Sequence, residues 1–293
     1  MTAAESVLGK YRALRTLASI VAWFDNWDEI WRCYRRGAEL PPLRFRRGFI
    51  LRHRPEDQVL LQFYEVFRDK NYRRYIAEHR RRTIVDIGAN IGVVTLDWMT
   101  RFPKIRINAY EPHPATFAML RANIEANGLA PRITTYREAV GGRTGMIVLR
   151  AGGPSMETTA YGVGATARAL EEFSVPMVGL DQVVERCIGD GPVALTKIDA
   201  EGAEADILEG ARLETLQRIS QFVIEYHDNL CPDALARCQR VLASAGFRCA
   251  TRPAMTGQGL LYAWRDRAHS QQEADILGES CNTRCAAQRN SGV

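Results

Sequence analysis

The chain has no apolar run long enough to cross a bilayer. Its strongest run near the start, Leu17 to Phe24, stops at Asp25, well short of the ~20 residues a spanning helix needs. No basic region leads into an apolar stretch within Met1 to Lys10, so a signal peptide is not expected. We therefore expect a cytoplasmic protein with no transmembrane segment. Cysteine is equally uninformative as a framework. The seven residues (Cys33, Cys187, Cys231, Cys238, Cys249, Cys281 and Cys285) are odd in number and scattered, which argues against a disulfide scaffold. Cys281 and Cys285 lie close, but no histidine or second cysteine pair stands beside them to complete a zinc site. Reduced thiols and no metal are expected there.

What is present reads as an ordinary globular protein. Hydrophobic residues make up 46% and charged residues 25% of 293, a balance that sustains a sizeable core. That length suits one large domain with additions. Charge is uneven: residues 1–82 carry 18 Lys and Arg against 10 Asp and Glu, the remainder 21 against 24. The basic N-terminal portion fits either an anionic partner or a solvated face, since charge alone specifies no ligand.

Val7 to Tyr34 has apolar residues at helical spacing, with Trp23, Trp27 and Trp31 four apart and so on one helix face. That stripe suits core packing, a membrane interface or homo-oligomerisation through the N-terminal helix. Pro41-Pro42 ends it, Leu43 to Leu51 suits a strand pair around Arg47-Gly48, and Glu56 to Ile76 reads as helical again. From Thr83 short β-branched runs alternate with helices, the pattern of parallel strands joined by crossovers. Strands are expected at Thr83–Ile87, Ile105–Tyr110, Arg132–Tyr136, Val193–Ile198 and Phe222–Tyr226. Phe247–Thr251 and Gly259–Trp264 follow as a closing antiparallel hairpin. Helices should cover Ile91 to about Arg101, a stretch opened by Pro114 and stopped by Asn127-Gly128, and Asp233 to Ala245. Arg143 to Leu180 is irregular, an excursion of strands and a loop. The fold class is thus α/β, doubly wound on a mostly parallel seven-stranded sheet with a C-terminal hairpin. We divide the chain into a helical N-terminal extension and cap (1–82), the α/β domain (83–265) and a flexible tail (266–293).

Three strand ends carry the chemistry. Asp86-Ile87-Gly88-Ala89-Asn90-Ile91-Gly92 follows the first core strand and opens a helix. Gly88 and Gly92 remove side chains where a ligand would approach the backbone, and Asn90 can cap a helix N-terminus offered to a carboxylate. The spacing is G-x-x-x-G, whereas a dinucleotide pyrophosphate needs G-x-G-x-x-G. Glu111 ends the second strand, 23 residues after Gly88, where an acidic side chain can accept hydrogen bonds from both ribose hydroxyls. Glu138 and Ala139 close the third strand, where an adenine would lie. The fourth strand ends in Lys197-Ile198-Asp199-Ala200-Glu201-Gly202-Ala203-Glu204, at the ligand-binding edge of such a sheet. Glu201 and Glu204 suit the first turn of a helix, which leaves Asp199 as the better functional candidate.

The glycine turn, Tyr110-Glu111-Pro112-His113-Pro114 with Phe117 and Asn123, and the fourth-strand motif together resemble the FkbM family of methyltransferases. Ile207-Leu208-Glu209-Gly210 and the pair Glu225 and His227 continue the likeness, which covers residues 45 to 265. The resemblance implies a Rossmann-like methyltransferase domain over 83–265, S-adenosyl-L-methionine as cofactor, and O-methylation of sugar or polyketide hydroxyls. The aromatic N-terminal helix and the cysteine-containing tail depart from the simplest family pattern. The cofactor would meet Asp86, Gly88, Asn90, Gly92, Glu111, Glu138 and Ala139.

On this reading the acceptor is a small-molecule or glycan hydroxyl, whose proton a general base must remove. Glu225 and His227 share a face of the fifth strand if its extended geometry persists. Neutral His227 would take the proton, while Glu225 or Asp199 holds the ring. No metal is expected to be needed. No nucleic-acid partner is expected either. An Asn/Asp-Pro-Pro-aromatic motif is missing after the fourth strand, and Cys231-Pro232 reverses the Pro-Cys order of cytosine-carbon enzymes. The reading from another class is a catalytically silent cofactor-binding protein acting through its N-terminal helix.

Overall fold

A computed structural model of the chain describes residues 16–68, 72, 83–102, 104–151, 158–159, 171–187 and 192–265. Arg143 to Leu180 is covered in part, and the Gly152-Gly153-Pro154 and Tyr161–Gly164 segments, Cys281, Cys285 and the whole 266–293 tail lie outside the described residues.

Seven strands form the main sheet. β3 (Thr83–Ile87), β4 (Arg106–Tyr110), β5 (Ile133–Tyr136), β10 (Val193–Ile198), β11 (Gln221–His227), β12 (Arg248–Met255) and β13 (Gln258–Trp264) stand in the order β12-β13-β11-β10-β3-β4-β5. Every pair from β11 across to β5 is parallel, and β13 is antiparallel to both its neighbours. The strand order reverses between β3 and β10. Crossovers leave a crevice outside the carboxyl ends of the strands at such a point. The expected parallel core and antiparallel closing hairpin are both there, on a doubly wound α/β sheet. The excursion after β5 forms a second sheet of β6 (Ala139–Gly141), β7 (Gly145–Ala151), β8 (Thr158–Thr159) and β9 (Glu171–Gly179), in the order β6-β9-β7-β8.

Both faces of the main sheet are covered because its central strands are apolar on both sides: all five residues of β3 and all six of β10 are buried. On one face Val85, Ile198 and Phe222 pack under α5 (Leu180–Glu185), α6 (Glu204–Glu209), α7 (Leu213–Gln217) and α8 (Ala234–Ser244). On the other, Ile84, Ile107 and Leu195 meet α3 (Val93–Arg101) and α4 (Pro114–Ala126), and this core continues into the N-terminal extension. There Phe24, Phe45, Phe63 and Phe67 cluster with ring centroids 4.6–6.2 Å apart. Such aromatic pairs add about 0.5–1.5 kcal/mol each beyond burial.

The extension differs from its expected form. A continuous helix through Tyr34 is replaced by a helix over 16–23, a turn, and α1 (Trp27–Arg36). Phe24 leaves the helix to bridge Phe45, and Asn26 holds the break by accepting from Arg44 N (3.0 Å) and donating to Pro42 O (3.0 Å). The three tryptophans therefore do not form one stripe: Trp23 is on the first helix, Trp27 and Trp31 on α1. Trp23 packs edge-on against Phe63 and Phe67, Trp27 is exposed, and Trp31 stacks on Tyr34. The hairpin around Gly48 is present as β1 (Leu43–Phe45) and β2 (Phe49–Leu51). The helical reading from Glu56 becomes a 3₁₀ turn at Pro55–Asp57, α2 (Val59–Phe63) and a π-helical turn at Tyr64–Arg68. Among the described residues no helix is long and apolar enough to cross a membrane.

Candidate active site

At the carboxyl ends of β3, β4, β10 and β11 lies a cavity of about 550 Å³, lined on its other side by extension residues between Arg54 and Val66 and by Tyr72. This is within the ordinary range for a small-ligand site. Gly88, Asn90, Glu111, Glu138, Ala139, Asp199, Glu225 and His227 all line it, so eight of the residues singled out from sequence converge on one space. Asp86 and Gly92 are not among its lining residues.

The turn after β3 is packed tightly against the protein as well as lining the cavity. A side chain on Gly88 (φ +72°) would collide with the backbone carbonyl of Asp199, and one on Gly92 (φ +94°) would meet Leu120 at 2.9 Å. Both glycines thus allow close packing of the turn, and Gly88 also lines the cavity. The helix starts at Val93, two residues later than expected, with Gly92 at its N-cap. Asn90 therefore does not cap it. Asn90 takes a left-handed conformation, which asparagine tolerates, and its side chain accepts from Ile91 N at 2.7 Å. Asp86, fully buried, accepts from Thr95 Oγ1 at 2.5 Å.

Glu111 sits at the β4 end, 6% exposed, accepting from Asn90 N (3.0 Å) and His113 N (2.9 Å). Burial pushes its pKa up to about 7, against the two amide bonds that favour its charge. Each oxygen keeps acceptor capacity for a ligand hydroxyl. Beyond it, Glu138 is paired with Arg186 at 2.6 Å, and the guanidinium lies 4.7 Å over the Tyr136 ring. That ring stacks on Tyr110 at 4.6 Å.

The β10–β11 end is built differently. Lys197, 2% exposed, donates to Gly88 O (2.7 Å) and Ile87 O (3.2 Å) and pairs with Asp199 Oδ2 (3.3 Å) and Asp86 Oδ1 (3.4 Å). Burial opposes its charge, but Asp199, Asp86 and Glu225 outweigh that and raise its pKa. Sequence reasoning missed this residue. The available signal was a lysine inside the otherwise buried Val-Ala-Leu-Thr-Lys-Ile strand, because a buried lysine is rare unless paired. Glu225 accepts from Tyr72 Oη at 2.5 Å. Burial and the Asp199 charge push Glu225 up to about 7, against the Tyr72 bond.

His227, 3% exposed, lies with Nδ1 3.0 Å from Glu204 Oε1 and Nε2 3.6 Å from Glu201 Oε2. Its ring is thus held by Glu204 rather than by Glu225 or Asp199 as expected. Glu204 is itself fully buried, and the same oxygen accepts from Ala200 N and Gly202 N, both at 3.0 Å. Burial works against charging the His227 ring, but Glu204, Glu201 and Asp199 push its pKa up to about 10. These carboxylates favour the charged ring, whereas the sequence reading has His227 as a neutral base. The five described cysteines are free thiols.

The arrangement can hold a hydroxyl-bearing ligand on Glu111 and present a second reactant to carboxylates on β10 and β11. Similarity to known proteins points the same way. The Methyltransferase FkbM domain matches residues 86–249. The 31-O-demethyl-FK506 methyltransferase FkbM of Streptomyces tacrolimicus is 30% identical over 232 residues, covering 70% of this chain and 88% of that protein. Methyltransferase 1 of Beauveria bassiana is 30% identical over 185 residues, covering 57% and 72%. The solved methyltransferase FkbM of Methylobacillus flagellatus matches with a TM-score of 0.48 and 15% identity over 86% of this chain. This chain spans 59% of that one, less than two thirds of its length. The profile match covers more than half of the chain, and it contains the glycine turn, Glu111, the fourth-strand motif and His227. The protein is a methyltransferase and belongs to the FkbM family.

Proposed function

We propose that the protein transfers a methyl group from S-adenosyl-L-methionine to a hydroxyl of a small molecule or glycan. The observation that carries this reading is the division of one cavity. Glu111 offers acceptor oxygens at the β4 end, while Asp199, Glu225 and His227 gather at the β10–β11 end. In this assignment the ribose hydroxyls donate to Glu111, the adenine lies towards Glu138 and Ala139, and the methionine portion follows the Gly88–Asn90 turn. The sulfonium methyl then points to the carboxylate-rich end, where the acceptor binds. The Streptomyces relative is named for a 31-O-demethyl substrate, which supports an oxygen acceptor.

Transfer from a sulfonium is a displacement: the acceptor oxygen bonds to the methyl carbon as the carbon–sulfur bond breaks. The acceptor loses its proton, and the thioether leaves neutral. An alkyl hydroxyl needs help with that proton. Both His227 nitrogens face carboxylates, Glu204 at 3.0 Å and Glu201 at 3.6 Å, so neither is turned to a substrate proton alone. We assign proton removal to Glu225, which lines the cavity and has Tyr72 fixed on one oxygen. Asp199, held by Lys197, lies beside it and attracts the sulfonium.

Incubating the full chain with methyl-labelled S-adenosylmethionine and a panel of hydroxyl compounds tests the reading. We expect label on oxygen in at least one acceptor. Label found only on nitrogen or carbon would overturn the oxygen assignment, and no measurable cofactor binding would overturn the donor.

A further inference from the structure

Carboxylates crowd the β10–β11 end of the cavity. Asp199, Glu201 and Glu225 line it, with Asp86 and Glu204 buried behind them. His227 is the fixed point among these groups. Its ring is 97% enclosed by its 3% exposure, and Nδ1 is taken by Glu204 at 3.0 Å. Nε2 is turned to the cavity, with Glu201 at 3.6 Å, beyond hydrogen-bond length. One donor atom each from Asp199, Glu201 and His227 lie within 4.8 Å of one another. Neighbouring ligands of one ion at about 2.1–2.3 Å sit roughly 3–3.8 Å apart, so the three atoms must draw together by about 1–2 Å to share one. The Asp199 and Glu201 side chains are 25% and 27% exposed, so they have room to close the difference by rotation. A carboxylate on the far nitrogen is how protein sites commonly orient a metal-bound imidazole.

We propose that His227 Nε2, Asp199 and Glu201 bind one divalent cation at the acceptor end of the cavity, with Glu204 as the positioning residue. This departs from the metal independence expected from sequence. One imidazole nitrogen beside two carboxylates suits Mn²⁺ better than Ca²⁺, which takes oxygen ligands. The ion takes the place of the proton on Nε2, as metal binding to histidine requires. Its remaining positions face the cavity, where an acceptor hydroxyl can coordinate and lose its proton more easily to Glu225. The use of the ion rests on the methyl-transfer reading; its binding does not.

The test is a titration of Mn²⁺ into the chelator-stripped full chain, without cofactor or acceptor, reading free Mn²⁺ by electron paramagnetic resonance. We expect one saturable ion per chain. Asp199→Asn, Glu201→Gln and His227→Gln should each weaken it at least tenfold, and Glu204→Gln by about 10–100-fold, the usual cost of losing an orienting partner. Glu172→Gln, at an exposed position of β9 outside the cavity lining, should bind as the parent does. Circular dichroism identifies folded variants, and the two part-exposed carboxylates supply variants that remain informative if His227→Gln unfolds. No saturable binding up to millimolar Mn²⁺, or unchanged binding in folded Asp199→Asn and Glu201→Gln, overturns the proposal. Neither result depends on turnover, so failure here is distinct from failure of the methyl-transfer reading.

Discussion

The two ends of the cavity are built on opposite electrostatic plans. At the β4 end a single carboxylate, Glu111, is held by two backbone amides from residues close to it in its own turn and the neighbouring one. At the β10–β11 end Lys197 ties Asp86 and Asp199 together, Tyr72 reaches Glu225 from 153 residues away, and Glu204 holds His227. One end offers acceptors to a neutral diol and needs little else. The other confines several charges in a buried space, where each is tolerable only because another is present. The comparison implies a division of labour, with affinity for the cofactor at the first end and reaction at the second.

The largest expected effect lies at the second end. Glu225→Gln removes the proposed proton acceptor and should lower turnover by about 10²–10⁴-fold, with cofactor affinity unchanged. A variant with near-parental single-turnover rates would remove Glu225 from that role. Next comes Lys197→Met, which leaves Asp86 and Asp199 facing each other without their shared cation. We expect a loss of about 3–5 kcal/mol in stability, as for other broken buried pairs, measured by urea denaturation. A loss below 1 kcal/mol would show that the network does not hold the strand ends together.

At the first end the effects are smaller. Glu111→Ala should weaken S-adenosylmethionine binding by about 1.5–3 kcal/mol, the worth of a charge-assisted hydrogen bond, while the protein stays folded. Smallest is the pH dependence. The Glu111 pKa is raised to about 7, so the ionised acceptor is present above that pH and lost as pH falls through it. Cofactor affinity should therefore decline below pH 7, by at most about tenfold per pH unit, and Glu111→Gln should flatten that slope. A parental slope in the variant would assign the ionisation elsewhere.

The same contrast explains what the sequence made readable. Glu111 and the glycine turn are short, local signals at strand ends, and hydrophobic alternation located the strands that carry them. Glu225 and His227 were found because two residues apart on a strand means one face. Tyr72, the partner of Glu225, was not found, since it reaches the site only through long-range packing; Lys197 stands two residues before Asp199, and only the fold shows that it is buried against Asp86 and the Gly88 carbonyl. Glu204 looked like a helix-dipole residue, which its place at the start of α6 allows; its bond to His227 depends on how β11 lies beside β10. Local rules also give only part of the reason glycine stands at 88. Its neighbour is the Asp199 carbonyl across the sheet, a contact no spacing rule reveals. The N-terminal tryptophan stripe failed for a similar reason: Phe24 gains more by joining the aromatic core at Phe45 than by continuing a helix.

The division of labour is tested most directly by titrating S-adenosylmethionine calorimetrically into the parent, Glu111→Ala and Glu225→Gln proteins under one set of conditions at pH 8. The account predicts that Glu111→Ala loses about 1.5–3 kcal/mol of affinity while Glu225→Gln binds as the parent does. Equal losses in both variants, or an unaffected Glu111→Ala, would contradict it.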